Sequence, residues 1–342
     1  MQRPEGHDVF RPLFLILFPY LNSAMQSLLI ILPDFLIILL GAVLAQKAGF
    51  GESFWKAAEK LVFYVLFPPL LFNSIAGAKM TIAGAAQFLA AGVGAMLLAV
   101  LLAALVMKIL RDDPVTHASV FQCGFRFNTY IGFAVCLRLF GEEGFALLAL
   151  LIAFWVPISN TIAVGVLANA VAGRDSAAES PADRLRTTLR KVLTNPLIIA
   201  TVAGLLVKAS GLTVPQTATT FLAHLGNASL AMGLLCIGAG LRLHAFRDHL
   251  ALITTSVVCR LLAVPAIAWG VVTLAGLDPV EAGVAILFAA LPTAQSCYVM
   301  TASMKGDAPS VANVTTAQTL AAMATLPFWI STVLIGLSPI AG

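Results

Sequence analysis

Ten stretches of this chain stay apolar for about 17 residues or more, and that recurrence decides what the chain can become. The runs fall at about 26–46, 57–77, 82–108, 116–139, 145–170, 193–209, 217–240, 249–275, 279–304 and 308–336. A run of ~20 apolar residues, rising 1.5 Å per residue, spans the ~30 Å hydrocarbon core of a bilayer as a helix. Inside hydrocarbon every backbone polar group needs a partner within the protein, which leaves helices or closed barrels. Barrel strands alternate polar and apolar residues, and these runs do not. The expected fold is therefore an all-α polytopic membrane protein with ten transmembrane helices. Composition agrees: 11% of the residues are charged, against roughly 25% in a soluble domain. Such a surface excludes a soluble enzyme, a disordered chain and a coiled coil.

The net charge of +4 is a topology signal and points to no nucleic-acid partner. Odd-numbered loops carry thirteen Lys and Arg, whereas the even-numbered ones carry only Lys79, Arg138 and Lys208. By the positive-inside rule the odd loops are cytoplasmic, including the polar loop 172–192. Both ends of the ten-helix unit then face outward, away from the cytoplasm. The five cysteines lie in apolar stretches without C-x-x-C spacing and read as buried structural thiols, with no disulfide framework and no metal site. Residues 1–25 stand apart as an N-terminal extension. They read as a mis-called start ahead of Met25, as an interfacial segment, or as a signal peptide.

The two halves echo each other. Asp113-Pro114-Val115 recurs as Asp278-Pro279-Val280, and Gly141-Glu142 recurs as Gly306-Asp307, both at an offset of 165. Pro33 with Gly41 recurs as Pro196 with Gly204 at an offset of 163, and Leu70-Leu71 as Leu234-Leu235 at 164. Together these argue for a duplication, residues 26–171 forming a first five-helix repeat and 193–338 a second. Five is odd, so the second copy enters the membrane from the other side. Inverted repeats of this kind mark many secondary transporters, because two such copies can adopt arrangements open to either side at similar energy.

The fourth span carries Gly124, Arg126, Asn128, Thr129, Tyr130 and Gly132, and the ninth carries Pro292, Thr293, Gln295 and Ser296 at the matching repeat position. Pro292 removes a backbone donor, and Gly124 and Gly132 flank a polar patch, so both helices are expected to break mid-membrane. Interrupted helices at equivalent positions point to a transport site. Arg126 lies ~15 Å into its span, near the midplane. Ser159 and Asn160 of the fifth span and Gln318 of the tenth reach similar depth. A guanidinium without an acidic partner is costly in hydrocarbon and suits a carboxylate, so an anionic substrate is expected. Arg126 can equally serve helix carbonyls or Asp34. Arg260, on an otherwise continuous span, reads as structural. Asp34 after Pro33 reads as the first turn of a helix, where both residues are favoured. Its other reading is a protonatable group that couples proton flow to transport.

These features in their order resemble the auxin efflux carrier family. The pieces are Pro33-Asp34-Phe35, the Phe63–Phe72 segment with Pro68-Pro69, Arg126 through Gly132, Phe140 through Gly144, Asn195-Pro196-Leu197, Leu291 through Ala294, Tyr298-Val299-Met300 and Thr325-Leu326-Pro327. The resemblance covers about residues 26–338. It implies crossed, unwound fourth and ninth helices and a scaffold of spans 1, 2, 6 and 7. It also implies a mobile unit of spans 3–5 and 8–10, elevator-type alternating access and homodimers formed through the scaffold. Asn128 matches the crossover asparagine that contacts the substrate carboxylate. Plant members usually place proline at that crossover, where this chain has Phe127. Short bacterial members handle malonate, malate and similar acids, and loop 172–192 is too short for a plant-type regulatory loop.

The expected function is thus secondary transport of small organic anions such as malonate, malate or auxin-like carboxylates, in a lipid setting. The expected substrate-binding set is Arg126, Asn128, Thr129, Tyr130, Asn160, Thr293, Gln295, Ser296 and Gln318, with helix breaks at Gly124, Gly132 and Pro292. A cation–proton antiporter is the alternative, although it usually wants a carboxylate at the crossing and none is there. No H-E-x-x-H, G-x-S-x-G or P-loop appears, so neither an enzyme nor a cofactor is expected.

Overall fold

The computed structural model describes residues 10–77, 82–109, 113–172, 190, 193–241 and 250–337. Loop 172–192 therefore lies almost wholly outside the described residues, as do residues 1–9 of the extension. All regular structure among the described residues is helical. In chain order the helices are α1 (Phe10–Lys47), α2 (Glu52–Gly77), α3 (Ile82–Ile109), α4 (Pro114–Phe121) and α5 (Thr129–Ala172). They continue as α6 (Pro196–Ser210), α7 (Gln216–Ala239), α8 (Leu250–Ala275), α9 (Pro279–Ala290), α10 (Ser296–Ser303) and α11 (Ala308–Leu337). Among the described residues, six apolar helical stretches are long enough to cross a membrane: Leu28–Lys47, Glu52–Gly77, Ala86–Val106, Pro114–Val171, Gln216–Ala239 and Leu250–Ala275. Two further apolar helices, α6 and α9, are shorter.

The repeated sequence motifs have matching local structure. Asp113 caps α4, its Oδ2 accepting from the N–H groups of Val115 and Thr116 at 3.1 and 3.2 Å. Asp278 caps α9 the same way, accepting from Val280 and Glu281 at 2.9 and 3.0 Å. In each, proline occupies the first helical position, where a missing N–H costs nothing. Gly141 takes φ +62° inside α5, a conformation open to glycine, and there divides the long apolar stretch Pro114–Val171 into two limbs. Its counterpart, Gly306-Asp307, lies in the turn between α10 and α11.

The pairing of Pro33 with Pro196 does not extend to structure. Asn195 caps α6, accepting from the N–H of Leu197 at 2.9 Å, but Pro33 lies well inside α1, which already runs from Phe10. Asp34 is accordingly not in a first helical turn, which corrects the sequence expectation. It is buried, and Arg138 of α5 donates to its Oδ1 at 2.9 Å. The Nδ2 of Asn73 donates to the carbonyl of Thr219 at 3.0 Å, tying α2 to the start of α7.

Packing divides the helices into two groups. In one, α1 lies along α7, and α2 lies against α6 and α7. In the other, α3 packs on α8, α8 on α9, and α9 on α5 and α11. The groups meet chiefly where α1 runs beside α11 and α2 beside α5. The α1–α7 seam is backbone against backbone. A Cβ on Gly238 would fall 1.7 Å from the carbonyl oxygen of Ile38, and one on Gly41 would fall 2.1 Å from that of Leu235. Small residues permit this approach where no hydrophobic force separates helix from lipid. Across the α2–α5 boundary aromatic rings interlock: Phe67 meets Tyr130 at 5.4 Å and Phe133 at 5.2 Å between centroids.

Candidate functional site

The fourth and ninth spans are interrupted at Gly124 and Pro292, and the two breaks touch; Gly132, also expected to break its helix, instead lies in the first turn of α5, where its missing side chain serves close packing. In the first, α4 ends at Phe121, a tight turn covers Gln122–Gly124, and the chain stays non-helical until α5 starts at Thr129. In the second, α9 ends at Ala290 and residues 291–294 are non-helical before α10 begins at Ser296. The N–H of Asn128 donates to the carbonyl of Pro292 at 2.7 Å, joining break to break. The rings of Phe127 and Phe288 also meet, tilted by 57° with centroids 4.4 Å apart.

Broken helices leave carbonyls without partners, and in hydrocarbon each must find one. Pro292 has no N–H to offer the carbonyl four residues back, which belongs to Phe288. The guanidinium of Arg260 takes that role: its Nη2 lies 3.5 Å from the Phe288 oxygen, and its Nε donates to Leu291 at 2.9 Å. Arg260 is fully buried, on a π-helical turn of α8. A cation at a helix C-terminus also complements the helix dipole. The structural reading of Arg260 is thereby given its mechanism.

At the first break, Trp155 donates its indole N–H to the carbonyl of Phe125 at 3.1 Å. The carbonyl of Cys123 receives the Thr293 hydroxyl at 2.8 Å and the Gln318 amide at 3.3 Å. The Gln318 Oε1 in turn accepts from the Thr293 N–H at 3.0 Å. Thr293 and Gln318 are both fully buried. They form a lock between the breaks and lie outside the cavity described next. Gly132 and Gly124 permit the close fit. A Cβ on either would fall 2.7 Å from a neighbouring side-chain carbon, on Leu291 and Ala103 respectively.

A cavity of about 410 Å³ opens at the crossing. One wall is the pair of breaks, with Asn128, Thr129, Tyr130, Gln295 and Ser296. The other comes from α2 and α7, including Glu52, Trp55, Lys56, Glu59, Cys236 and Gly240. Two helices begin at the first wall, α5 and α10, and their N-terminal N–H groups carry partial positive charge. Asn128 is nearly fully buried and caps α5, its Oδ1 accepting from Tyr130 and Ile131 at 3.1 and 3.2 Å. That fixes the amide, leaving its Nδ2 for the cavity. Gln295, at the cap of α10, makes no side-chain capping bond.

Arg126 stands behind this wall. Its Nη2 donates to the Ser296 hydroxyl at 3.0 Å, and its Nη1 to Gln122 Oε1 at 2.7 Å. Its partners are the Gln122 amide, the Met300 sulfur and the Ser296 hydroxyl, and Asp34 is bonded to Arg138 instead. The crossing thus assembles Arg126, Asn128, Thr129, Tyr130, Gln295 and Ser296. Asn160 sits half-buried on the far limb of α5 and does not line the cavity. Sequence reasoning missed the acidic face of α2, because the apolar run starts only at about residue 57 while the helix starts at Glu52. The spacing of Glu52, Lys56, Glu59 and Phe63 puts all four on one helical face and was the available signal.

Broken helices whose starts, with several polar side chains, face a cavity within an otherwise apolar helical bundle point to a multi-pass membrane transport protein. The chain belongs to the membrane transport protein family, the auxin efflux carrier family, which it matches over residues 26–330. It is also 24% identical over 274 residues to a Rhizobium meliloti (strain 1021) protein named "Putative malonate transporter". That alignment covers 79% of this chain and 84% of the relative.

Proposed function

We propose that this protein is a secondary carrier for small organic anions of the malonate and malate type. The observation that carries the proposal is the cavity wall where two helix starts, the Asn128 amide and the Arg126-backed Ser296 hydroxyl converge. Every one of these presents positive charge or a hydrogen-bond donor, and a carboxylate is the small ligand that satisfies them together. The name of the Rhizobium relative points to the same substrate class.

The reading extends to architecture. Ten spans form two inverted five-helix repeats, with α4–α5 and α9–α10 as the crossed fourth and ninth spans. Helices α1, α2, α6 and α7 serve as a scaffold, and the remainder moves against it in an elevator-type cycle. Loop 172–192 is cytoplasmic, in a bacterial inner membrane, and the scaffold forms a homodimer. Asp34, held by Arg138 away from the cavity, is given no part in coupling. Cation–proton antiport is less well served, because the cavity's acids stand on α2 and none is at the crossing.

The test is thermal stabilisation of the purified protein in detergent by a panel of mono- and dicarboxylates. A ligand at 100 times its Kd stabilises by about 2.7 kcal/mol. Stabilisation by malonate or malate, lost in Arg126→Ala and Asn128→Ala, is the expected result. Silence across the acids together with a shift by cations overturns the proposal.

A further inference from the structure

The two walls of the cavity differ in sign. The wall at the breaks offers donors, while the α2 wall offers carboxylates. Glu59 is the decisive group. It lines the cavity and is only partly exposed, and its carboxylate makes no hydrogen bond or ion pair among the described residues. Lys56, one turn before it, is held by Glu52 at 2.8 Å. The other titratable groups around the cavity are Tyr130 from α5, Cys236 from α7 and Tyr298 from α10, with Arg126 set behind Ser296. None of them is a cation facing Glu59 across the cavity.

A dicarboxylate seated on Asn128 and the helix starts turns its second carboxylate toward the α2 wall. Two carboxylates sharing a confined site cannot both stay ionised, and one takes up a proton. From this arrangement we infer that the site accepts a dicarboxylate together with one proton, shared between the ligand's distal carboxyl and Glu59. The inference rests on the carboxylate reading above and sharpens it. The ligand class is a carboxylate whose far end donates a hydrogen bond. No covalent bond forms; one proton moves from solvent to the carboxyl–carboxylate pair.

The experiment is binding of malonate to the detergent-purified full chain between pH 6.5 and 8, with malonamate as companion ligand. Malonamate replaces the second carboxyl by an amide, a donor that needs no proton. Wild type should lose malonate affinity by about tenfold per pH unit in the upper part of that range, following one-proton linkage. Malonamate affinity should stay flat and exceed that of malonate at pH 8. In Glu59→Gln the malonate slope should vanish, because the glutamine amide can donate to an ionised carboxylate. Glu59→Asp, which keeps the charge, should keep the slope. Malonate binding in wild type without pH dependence, or an unchanged slope in Glu59→Gln, overturns this inference and leaves the anion carrier standing. Failure of both ligands to bind at any pH overturns the carrier reading with it.

Discussion

In the proposed carrier Asn128 does two jobs with the two ends of one amide, and replacing it by aspartate separates them. Its Oδ1 caps α5 through the Tyr130 and Ile131 N–H groups, while its Nδ2 is free for a ligand. Asn128→Ala removes both functions. Loss of an N-cap costs about 1 kcal/mol of stability. Asn128→Asp keeps two acceptor oxygens at the cap. A carboxylate at a helix N-terminus gains roughly 0.3–1 kcal/mol from the dipole, which offsets part of the cost of placing charge at a buried position. Its stability should therefore stay within about 1 kcal/mol of wild type. Binding should change differently. A hydrogen bond to a charged group contributes about 1.5–3 kcal/mol, so loss of Nδ2 weakens carboxylate affinity by about 10- to 150-fold in both variants. Aspartate adds repulsion and should fall at or beyond the upper end. The assay is a thermal melt of each variant with and without titrated malonate. Full ligand affinity in Asn128→Asp refutes the donor role, and wild-type stability in Asn128→Ala refutes the cap.

Three further outcomes follow from the packing. Gln318→Leu strips partners from the buried Thr293 N–H and Cys123 carbonyl, and should cost about 2–4 kcal/mol; ligand affinity of the folded fraction should stay within about threefold, as a titration at low temperature would show. Gly238→Ala drives a Cβ into the Ile38 carbonyl and should destabilise by about 3 kcal/mol or more, visible as loss of monodisperse protein on size exclusion. Arg138→Met leaves the Asp34 carboxylate buried and unpaired, and should cost about 1–3 kcal/mol, the guanidinium being partly exposed. Adding Asp34→Asn should restore most of that loss in a melting double-mutant cycle.

Much of the fold was legible because hydrocarbon imposes so strict a rule. Long apolar runs must be helical, and Pro292 must interrupt one of them. The matched Asp-Pro caps were readable too, since capping is local. Partnership across space was not. Gln318 and Thr293 lie at the right depth for a ligand, yet they satisfy each other and a carbonyl of the opposite break. Depth along one helix fixes height and leaves the facing direction open. Asp34 was misread for the opposite reason: Pro33 is a fair helix-start signal, and nothing local shows that α1 continues upstream to Phe10. Glu59 escaped notice because hydropathy drew the edge of the second span through its own turn.

The bond between Asn128 and Pro292 uses backbone atoms alone, and it joins the residue just before one helix start to the residue four before the other. That bond ties the two starts together as a pair. In the proposed anion carrier the positive pole seen by a bound anion would move with the pair, and release would come from what slides past it: the face of α2 is the neighbour that changes, and so the element that would set where in the cycle the cargo is let go.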